Sequence, residues 1–163
     1  MKAREIMTAN PACITPDATA QEAARLMAEC DCGVVPVVED TRSKRLVGVV
    51  TDRDLAVRGL AQGKGADTRV RDLMTANPSC CAPDDDLKEV ERTMADRMVR
   101  RVPVVDERGC CVGVIAQADL ARAAERRRGV TDKEVARVVE KLSEPAQTSA
   151  AGFGGSPRAP AAT

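Results

Sequence analysis

The feature that most constrains the fold is an internal repeat that takes up most of the chain. MTANP at 7–11 returns at 74–78, VPVV at 35–38 returns at 102–105, VGV at 47–49 returns at 112–114, and DL at 54–55 returns at 119–120. The copies are 67 residues apart as far as VPVV and 65 apart from VGV onward, so the second copy is two residues shorter in the connection between those segments. A surface hairpin tolerates such a change of length. The repeat predicts two similar structural units.

Each copy contains the pattern of an amphipathic helix. In the first copy, Thr19 and Glu22 form a predicted capping box at the start of a helix that runs from Thr19 to Cys30. Asp86 and Glu89 take the same places in the second copy. The predicted buried stripes have i, i+3, i+4, i+7 spacing or close to it, and consist of Ala23, Leu26, Met27 and Cys30 in the first copy and of Leu87, Val90, Met94 and Met98 in the second.

A β-hairpin and a second helix follow in each copy. The β-branched segments 34–38 and 46–50 are of strand length and are joined by the polar stretch 39–45, as are 102–105 and 112–115 in the second copy. The second helices are predicted at 53–62 and 118–127. The fold class is therefore α/β, of the α+β kind, with two β-α-β-β-α units.

These patterns divide the chain into five parts. We predict a first repeat at 1–62, a linker at 63–69, a second repeat at 70–128, a C-terminal helix at 129–145 and a disordered tail at 146–163. Thr131 and Glu134 form the capping box of the C-terminal helix, and Pro145 ends it. The tail consists mainly of Ala, Gly, Ser and Pro without periodicity.

Composition removes several classes of function. The 25 basic and 25 acidic residues balance, so no overall field attracts nucleic acid or an anionic membrane. No apolar run approaches the roughly 18 residues of a membrane span, and the first residues lack the apolar core of a secretory signal. We therefore expect a cytoplasmic protein with neither nucleic acid nor membrane as a partner.

The absence of histidine and the number of cysteines bear on catalysis and metal binding. The chain has no histidine, and so lacks the most frequent general base and metal ligand. We expect no enzyme activity and no metal site. Seven cysteines do not form a paired disulfide framework, and we expect most of them to be buried thiols. A thiol-based redox or metal-binding protein is the competing interpretation.

The segment GVVTDRD at 48–54 suggests a ligand site where a strand passes into a helix. Asp54 lies in the first turn of that helix, where the dipole favours a carboxylate that accepts hydrogen bonds from a pair of ribose hydroxyls. Thr51 can add a hydrogen bond, and Gly48 allows close approach of the backbone. Thr51 and Asp54 also suit the N-cap and N3 positions of an ordinary helix, and this alternative stays open.

Together, the order of elements, the duplicated unit and the GVVTDRD motif resemble a tandem pair of CBS domains, also called a Bateman module. The resemblance covers about residues 1–128 and is greatest to stand-alone bacterial CBS pairs, including the hypoxic-response type. It implies two repeats related by a pseudo-twofold axis, a regulatory module without catalytic activity, and a homodimer. It further implies no obligatory cofactor, but a ligand in the clefts between repeats: AMP, ADP, ATP or S-adenosylmethionine.

The resemblance also implies which residues contact that ligand. Asp54 and Asp119 would hold the ribose, Val35 and Val102 would flank the base, and Arg100 and Arg101 would reach phosphate. Each cleft would include the first residues of the other repeat, 70–75 for Asp54 and 3–8 for Asp119. The full set of predicted ligand-binding residues is Met7, Thr8, Val35, Gly48, Thr51, Arg53, Asp54, Met74, Thr75, Arg100, Arg101, Val102 and Asp119.

The second copy departs from the motif and keeps a second interpretation open. Ala116 and Gln117 replace the threonine and the acidic residue that follows it, although Asp119 is kept. We expect this cleft to bind more weakly or to be empty. The alternative function is a dimeric adaptor or stress-response protein with vestigial clefts, which acts by contacts with an unknown protein target.

Overall fold

A computed structural model describes residues 1–126 together with Ala136 and Glu140. Within these residues each half has one short strand, a helix, a two-stranded hairpin and a second helical segment. In the first half these are β1 (Thr8–Ala9), α1 (Ala20–Glu29), β2 (Val34–Val38), β3 (Leu46–Thr51) and α2 (Asp52–Asp54). In the second half they are β4 (Thr75–Ala76), α3 (Leu87–Arg97), β5 (Arg101–Val105), β6 (Cys111–Ala116) and α4 (Gln117–Arg126).

The two hairpins are built alike, as the repeat predicts. β2 pairs antiparallel with β3, with Val34 opposite Thr51, and β5 pairs with β6, with Arg101 opposite Ala116. Each hairpin has an irregularity at its last valine pair, between Val37 and Val38 or between Val104 and Val105. The predicted strands are therefore confirmed: β2 has the predicted bounds, and the other three strands are one or two residues longer.

The third strand of each sheet comes from the other half of the chain. β1 pairs with β6, and β4 pairs with β3, so the sheet orders are β1-β6-β5 and β2-β3-β4. A short 3₁₀ turn precedes each of these strands, at Ala3–Glu5 and at Val70–Asp72. The two halves thus exchange equivalent N-terminal segments, which agrees with the expected pseudo-twofold arrangement.

The exchanged segments also complete the two hydrophobic cores. Ala3 is buried in the core of the second half, with Val102, Ile115 and Leu120. Val70 and Leu73 are buried in the core of the first half, with Val35 and Val50. Because each core contains apolar side chains from both halves, burial of these side chains stabilises the pair as one unit.

The helices begin as predicted and differ in their later turns. Thr19 N donates to Glu22 Oε2 at 2.7 Å, and Glu22 N donates to Thr19 Oγ1 at 3.2 Å. In the second half, Asp86 N donates to Glu89 Oε2 at 3.0 Å. The predicted stripes are too long, however. Cys30 is exposed after the end of α1, and Met98 follows α3 in the left-handed region (φ 52°) with 56% of its surface exposed.

The second helical segment of the first half is not a regular α-helix. After α2 the chain continues as a π-helical turn (Leu55–Gly59) and a 3₁₀ turn (Leu60–Gln62). In the second half, α4 is α-helical over its ten residues. The predicted helix over 53–62 is therefore present, but its hydrogen bonding changes from α to π to 3₁₀ along the segment.

Some predictions fall on residues that the structure does not describe. The C-terminal helix, apart from Ala136 and Glu140 with their helical backbone, and the tail at 146–163 lie outside the described residues. The boundaries of the five parts stay predictions. Among the described residues, no helix combines the length and the apolar character that crossing a bilayer requires.

Candidate functional site

In the first half, the predicted motif forms a capping box where β3 passes into α2. Asp54 Oδ2 accepts hydrogen bonds from Thr51 N at 2.9 Å and from Thr51 Oγ1 at 2.7 Å, while Asp54 N donates to Thr51 Oγ1 at 3.1 Å. This is the capping arrangement that the sequence left open as an alternative. One carboxylate oxygen of Asp54 is committed to the backbone and hydroxyl of Thr51.

Arg58 occupies the space next to the other oxygen of Asp54. Its Nε lies 3.5 Å from Asp54 Oδ1, and its Nη1 donates to the carbonyl oxygens of Leu73 and Met74 at 3.0 Å each and to Thr75 Oγ1 at 3.2 Å. The Arg58 side chain therefore spans the cleft between the helix that carries Asp54 and the segment 70–75. Sequence reasoning did not single out this arginine.

The second half has the same carboxylate but a different neighbour. Asp119 Oδ2 accepts from Ala116 N at 2.8 Å, and Arg122 Nη2 lies 3.7 Å from Asp119 Oδ1. When the two copies are aligned at the aspartates, Ala123 takes the place of Arg58. A methyl group thus stands where the first half has a guanidinium on a long side chain.

A cavity of about 300 Å³ lies beside Asp119. Its wall combines α4 with the exchanged N-terminal segment, and its lining residues are Met1, Glu5, Ile6, Met7, Asp119, Arg122 and Ala123. The structure therefore brings Asp119 and Met7 together, as the resemblance implied. The other five residues were missed individually, although the expected contribution of segment 3–8 includes Glu5 and Ile6.

Two glycines let methionines pack against the central strands next to the clefts. A Cβ atom on Gly48 would lie 2.7 Å from Met74 Sδ and 3.0 Å from Thr75 O, and one on Gly113 would overlap the side chain of Met7. Gly48 thus permits close approach to the backbone of β3. In this structure the approaching groups are Met74 and Thr75 of the exchanged segment.

The remaining predicted residues lie at several depths around the clefts. Val35 and Val102 are fully buried in the two cores, so this structure exposes neither side chain to a base. Thr8, Arg53, Thr75 and Arg100 are exposed, and Arg101 is partly buried. A Cβ atom on Gly33 would lie 2.8 Å from Arg101 Nη2 and 2.8 Å from Asp52 Oδ2, so Arg101 reaches from β5 to the first half.

The cysteines are less buried than expected. All seven are free thiols, but only Cys81 and Cys111 are buried, Cys30 is exposed and the other four are intermediate. No group of three or more potential metal-ligating side chains occurs in the part of the chain that the structure describes.

Two free cysteines from different halves, Cys13 and Cys111, interact with each other. A hydrogen bond from the thiol of Cys111, aided by the positive charge of Lys44, lowers the pKa of Cys13 to about 7, while burial opposes this shift. The same contact and burial raise the pKa of Cys111. In this pair, Cys13 is therefore the thiol that ionises first.

The fold and the two clefts can be compared with known proteins. The family model described as "CBS domain" matches residues 3–59 and 70–126. The CBS domain-containing protein YhcV of Bacillus subtilis is 38% identical over 118 residues, which are 72% of this chain and 81% of the relative. Hypoxic response protein 1 of Mycobacterium tuberculosis is 36% identical over 121 residues, 74% of this chain and 82% of the relative.

Solved structures of two similar proteins contain bound groups. The crystal structure of Hypoxic Response Protein I with two coordinated zinc ions has a TM-score of 0.67 at 35% identity and covers 75% of this chain and 98% of its own. That of CBSX2 in complex with AMP has a TM-score of 0.67 at 29% identity and covers 77% of this chain and 96% of its own. The matched region thus makes up nearly all of these proteins. The chain belongs to the CBS-domain family and carries a pair of CBS domains.

Proposed function

We propose that this chain is a non-catalytic regulatory module that binds an adenine nucleotide or a related adenosyl ligand between its two CBS domains. The observation that carries the proposal is the cavity of about 300 Å³ beside Asp119. Its volume is at the lower end of the range of about 300–1,000 Å³ for small-molecule sites. The AMP bound in the CBSX2 structure supports the choice of an adenosyl compound.

The chemistry of the lining residues suits a nucleoside with phosphate groups. Asp119 keeps an oxygen whose nearest ionic partner, Arg122, is 3.7 Å away. That oxygen has room to accept a hydrogen bond from a ribose hydroxyl. Arg122 is 65% exposed and can turn toward a phosphate, while Ile6 and Met7 offer an apolar surface to a base. In the first domain Asp54 and Thr51 hold the equivalent positions in the sequence.

Regulation would follow from differential affinity. The cavity wall is formed by segment 1–7 from one half and by α4 from the other. A ligand that fits one relative arrangement of these two elements better than another shifts the population toward it. No covalent step is needed for such a response.

A thermal-shift panel with AMP, ADP, ATP, GTP and S-adenosylmethionine tests the proposal. A ligand present at 100 times its Kd stabilises the folded protein by about 2.7 kcal/mol. We expect at least one adenosyl compound to raise the melting temperature and Asp119→Asn to remove the shift. Asp96→Asn, on the exposed side of α3, is the matched control. If no adenosyl compound raises the melting temperature, the proposal is wrong.

The alternative interpretation has its own result in the same assay. Stabilisation by a partner protein and by none of the nucleotides would favour an adaptor with vestigial clefts. The homodimer stays a prediction, which light scattering on the purified chain tests directly. The cytoplasmic location also stays a prediction.

A further inference from the structure

We propose that Arg58 acts as an internal latch that closes the first cleft, so that the module binds one adenosyl ligand, in the second cleft beside Asp119. This inference rests on the proposed function and specifies which cleft is used. It also reverses the order expected from the motif, because the half with the complete TDRD sequence would be the closed one.

The first argument is the pseudo-symmetry of the two clefts. By the offsets of the repeat, Leu73, Met74 and Asp54 correspond to Ile6, Met7 and Asp119. The three residues of the second cleft all line the cavity. Their counterparts in the first cleft all contact the Arg58 guanidinium, at 3.0 to 3.5 Å. The guanidinium therefore lies in the counterpart of the cavity.

The second argument is that Arg58 satisfies the groups a ligand would need. Its Nη1 engages two backbone carbonyl oxygens and a hydroxyl, and its Nε lies beside Asp54 Oδ1. Asp54 Oδ2 is held by Thr51. A ribose in the first cleft would have to displace Arg58, leaving those acceptors without their donor.

The third argument is the backbone that carries the latch. Arg58 lies in the π-helical turn Leu55–Gly59, whereas the equivalent stretch of α4 is α-helical. π-Helical turns are rare, and they occur frequently at functional sites. The π-helical turn thus occurs in the half that has the arginine. This agrees with a local backbone conformation that allows Arg58 to make its contacts.

The test counts bound ligands in single-residue variants. Native mass spectrometry with AMP, ATP or S-adenosylmethionine measures molecules bound per chain, and calorimetry measures each Kd. We expect one ligand per wild-type chain, with at least tenfold weaker binding in Asp119→Asn. Arg58→Ala should bind two, and the added site should disappear in Arg58→Ala/Asp54→Asn. Arg42→Ala, in the exposed hairpin loop, controls for the loss of one positive charge.

The outcomes separate the latch from the proposed function. One ligand in both the wild type and Arg58→Ala would overturn the latch and leave the function intact. Two ligands in the wild type would also overturn it. If the wild type binds no ligand but Arg58→Ala binds one, the result supports the closing role of Arg58 and contradicts binding in the native second cleft. If neither protein binds a ligand, both the latch and the proposed function are wrong. Arg58→Met retains the aliphatic part of the side chain and repeats the test if Arg58→Ala does not fold.

Discussion

At the scale of single residues, Thr51 and Asp54 show how a carboxylate can serve a helix and still lie beside a cleft. The Thr51 hydroxyl both accepts from Asp54 N and donates to Asp54 Oδ2. Only 14% of the Asp54 side chain is exposed, so these bonds are partly protected from water. The capping box orients the carboxylate, and Arg58 Nε lies 3.5 Å from its second oxygen.

The capping role predicts the effect of removing the Thr51 hydroxyl. Thr51→Ala should lower the free energy of unfolding by about 1 kcal/mol, the usual cost of losing an N-cap side chain. Urea denaturation measures this, with Thr41→Ala in the exposed loop as the control. The second half already has alanine at the equivalent position, Ala116, whose N–H donates to Asp119 Oδ2. Equal stability of the two variants would contradict the capping role.

Cys13 gives a prediction about pH. The Cys111 hydrogen bond and Lys44 stabilise the thiolate of Cys13 and lower its pKa to about 7, so its alkylation by iodoacetamide should accelerate as the pH rises through about 7. Cys81, whose pKa is raised to about 12 by burial and by the charge of Asp85, should react slowly at these pH values. Peptide mapping by mass spectrometry gives the rate at each cysteine.

A variant checks the cause of that behaviour. Cys111→Ala removes the donor, so the pKa of Cys13 should rise toward its ordinary value and its reactivity profile should move to higher pH. A profile that does not move would show that the thiol pair is not responsible.

At the scale of secondary-structure elements, the glycines of β3 and β6 determine how closely the exchanged segments pack. Alanine at Gly113 would overlap the Met7 side chain, and overpacking of this kind costs about 1–3 kcal/mol. Gly113→Ala should therefore destabilise the protein in urea denaturation. Adding Met7→Ala should recover part of the loss, because the predicted overlap is with that flexible side chain.

Gly48 provides the matched comparison. An alanine there would meet Met74 Sδ and also the backbone oxygen of Thr75 at 3.0 Å. Shortening Met74 removes only the first contact, so Gly48→Ala/Met74→Ala should recover less than the Gly113 pair. Equal recovery in the two halves would contradict this difference.

The same elements show what sequence reasoning can reach. The four hairpin strands were predictable because long β-branched runs have few alternatives to a buried strand. The leading strand of each copy was predicted only in the β-α-β-β-α order and without bounds, since β1 and β4 have two residues each and owe their pairing to the other half of the chain. Met98 was misassigned to the stripe of α3 because its spacing fits, although the chain turns into the left-handed region there.

At the scale of the whole molecule, the two halves share a fold but differ in their clefts. The sequence drew attention to Asp54 because its motif is complete. The structure shows a cavity beside Asp119. A sequence motif indicates candidate ligand-binding residues. The space beside them depends on other residues, Arg58 in the first cleft and Ala123 in the second, which come next to the motif only after folding. Aligning the two copies four residues beyond each aspartate would have shown this difference.

The exchange of segments predicts that neither half folds alone. In a chain cut after Lys64, the first fragment loses β4 and with it Val70 and Leu73 of its core, and the second fragment loses β1 and Ala3. Backbone bonds from Ala3 N to Asp85 O at 2.9 Å and from Val70 N to Ala18 O at 2.8 Å are lost as well.

We expect each fragment to be largely unfolded as a monomer, and an equimolar mixture to regain the native fold, as followed by far-ultraviolet circular dichroism and by the dispersion of amide resonances. The segment MTANP is identical in the two copies. At high concentration, one fragment can therefore pair with the MTANP segment of a second molecule of the same fragment and form a dimer. Sedimentation analysis must accompany the spectra to detect such dimers. A fragment that is folded and monomeric would show that the exchanged segments do not hold the two halves together.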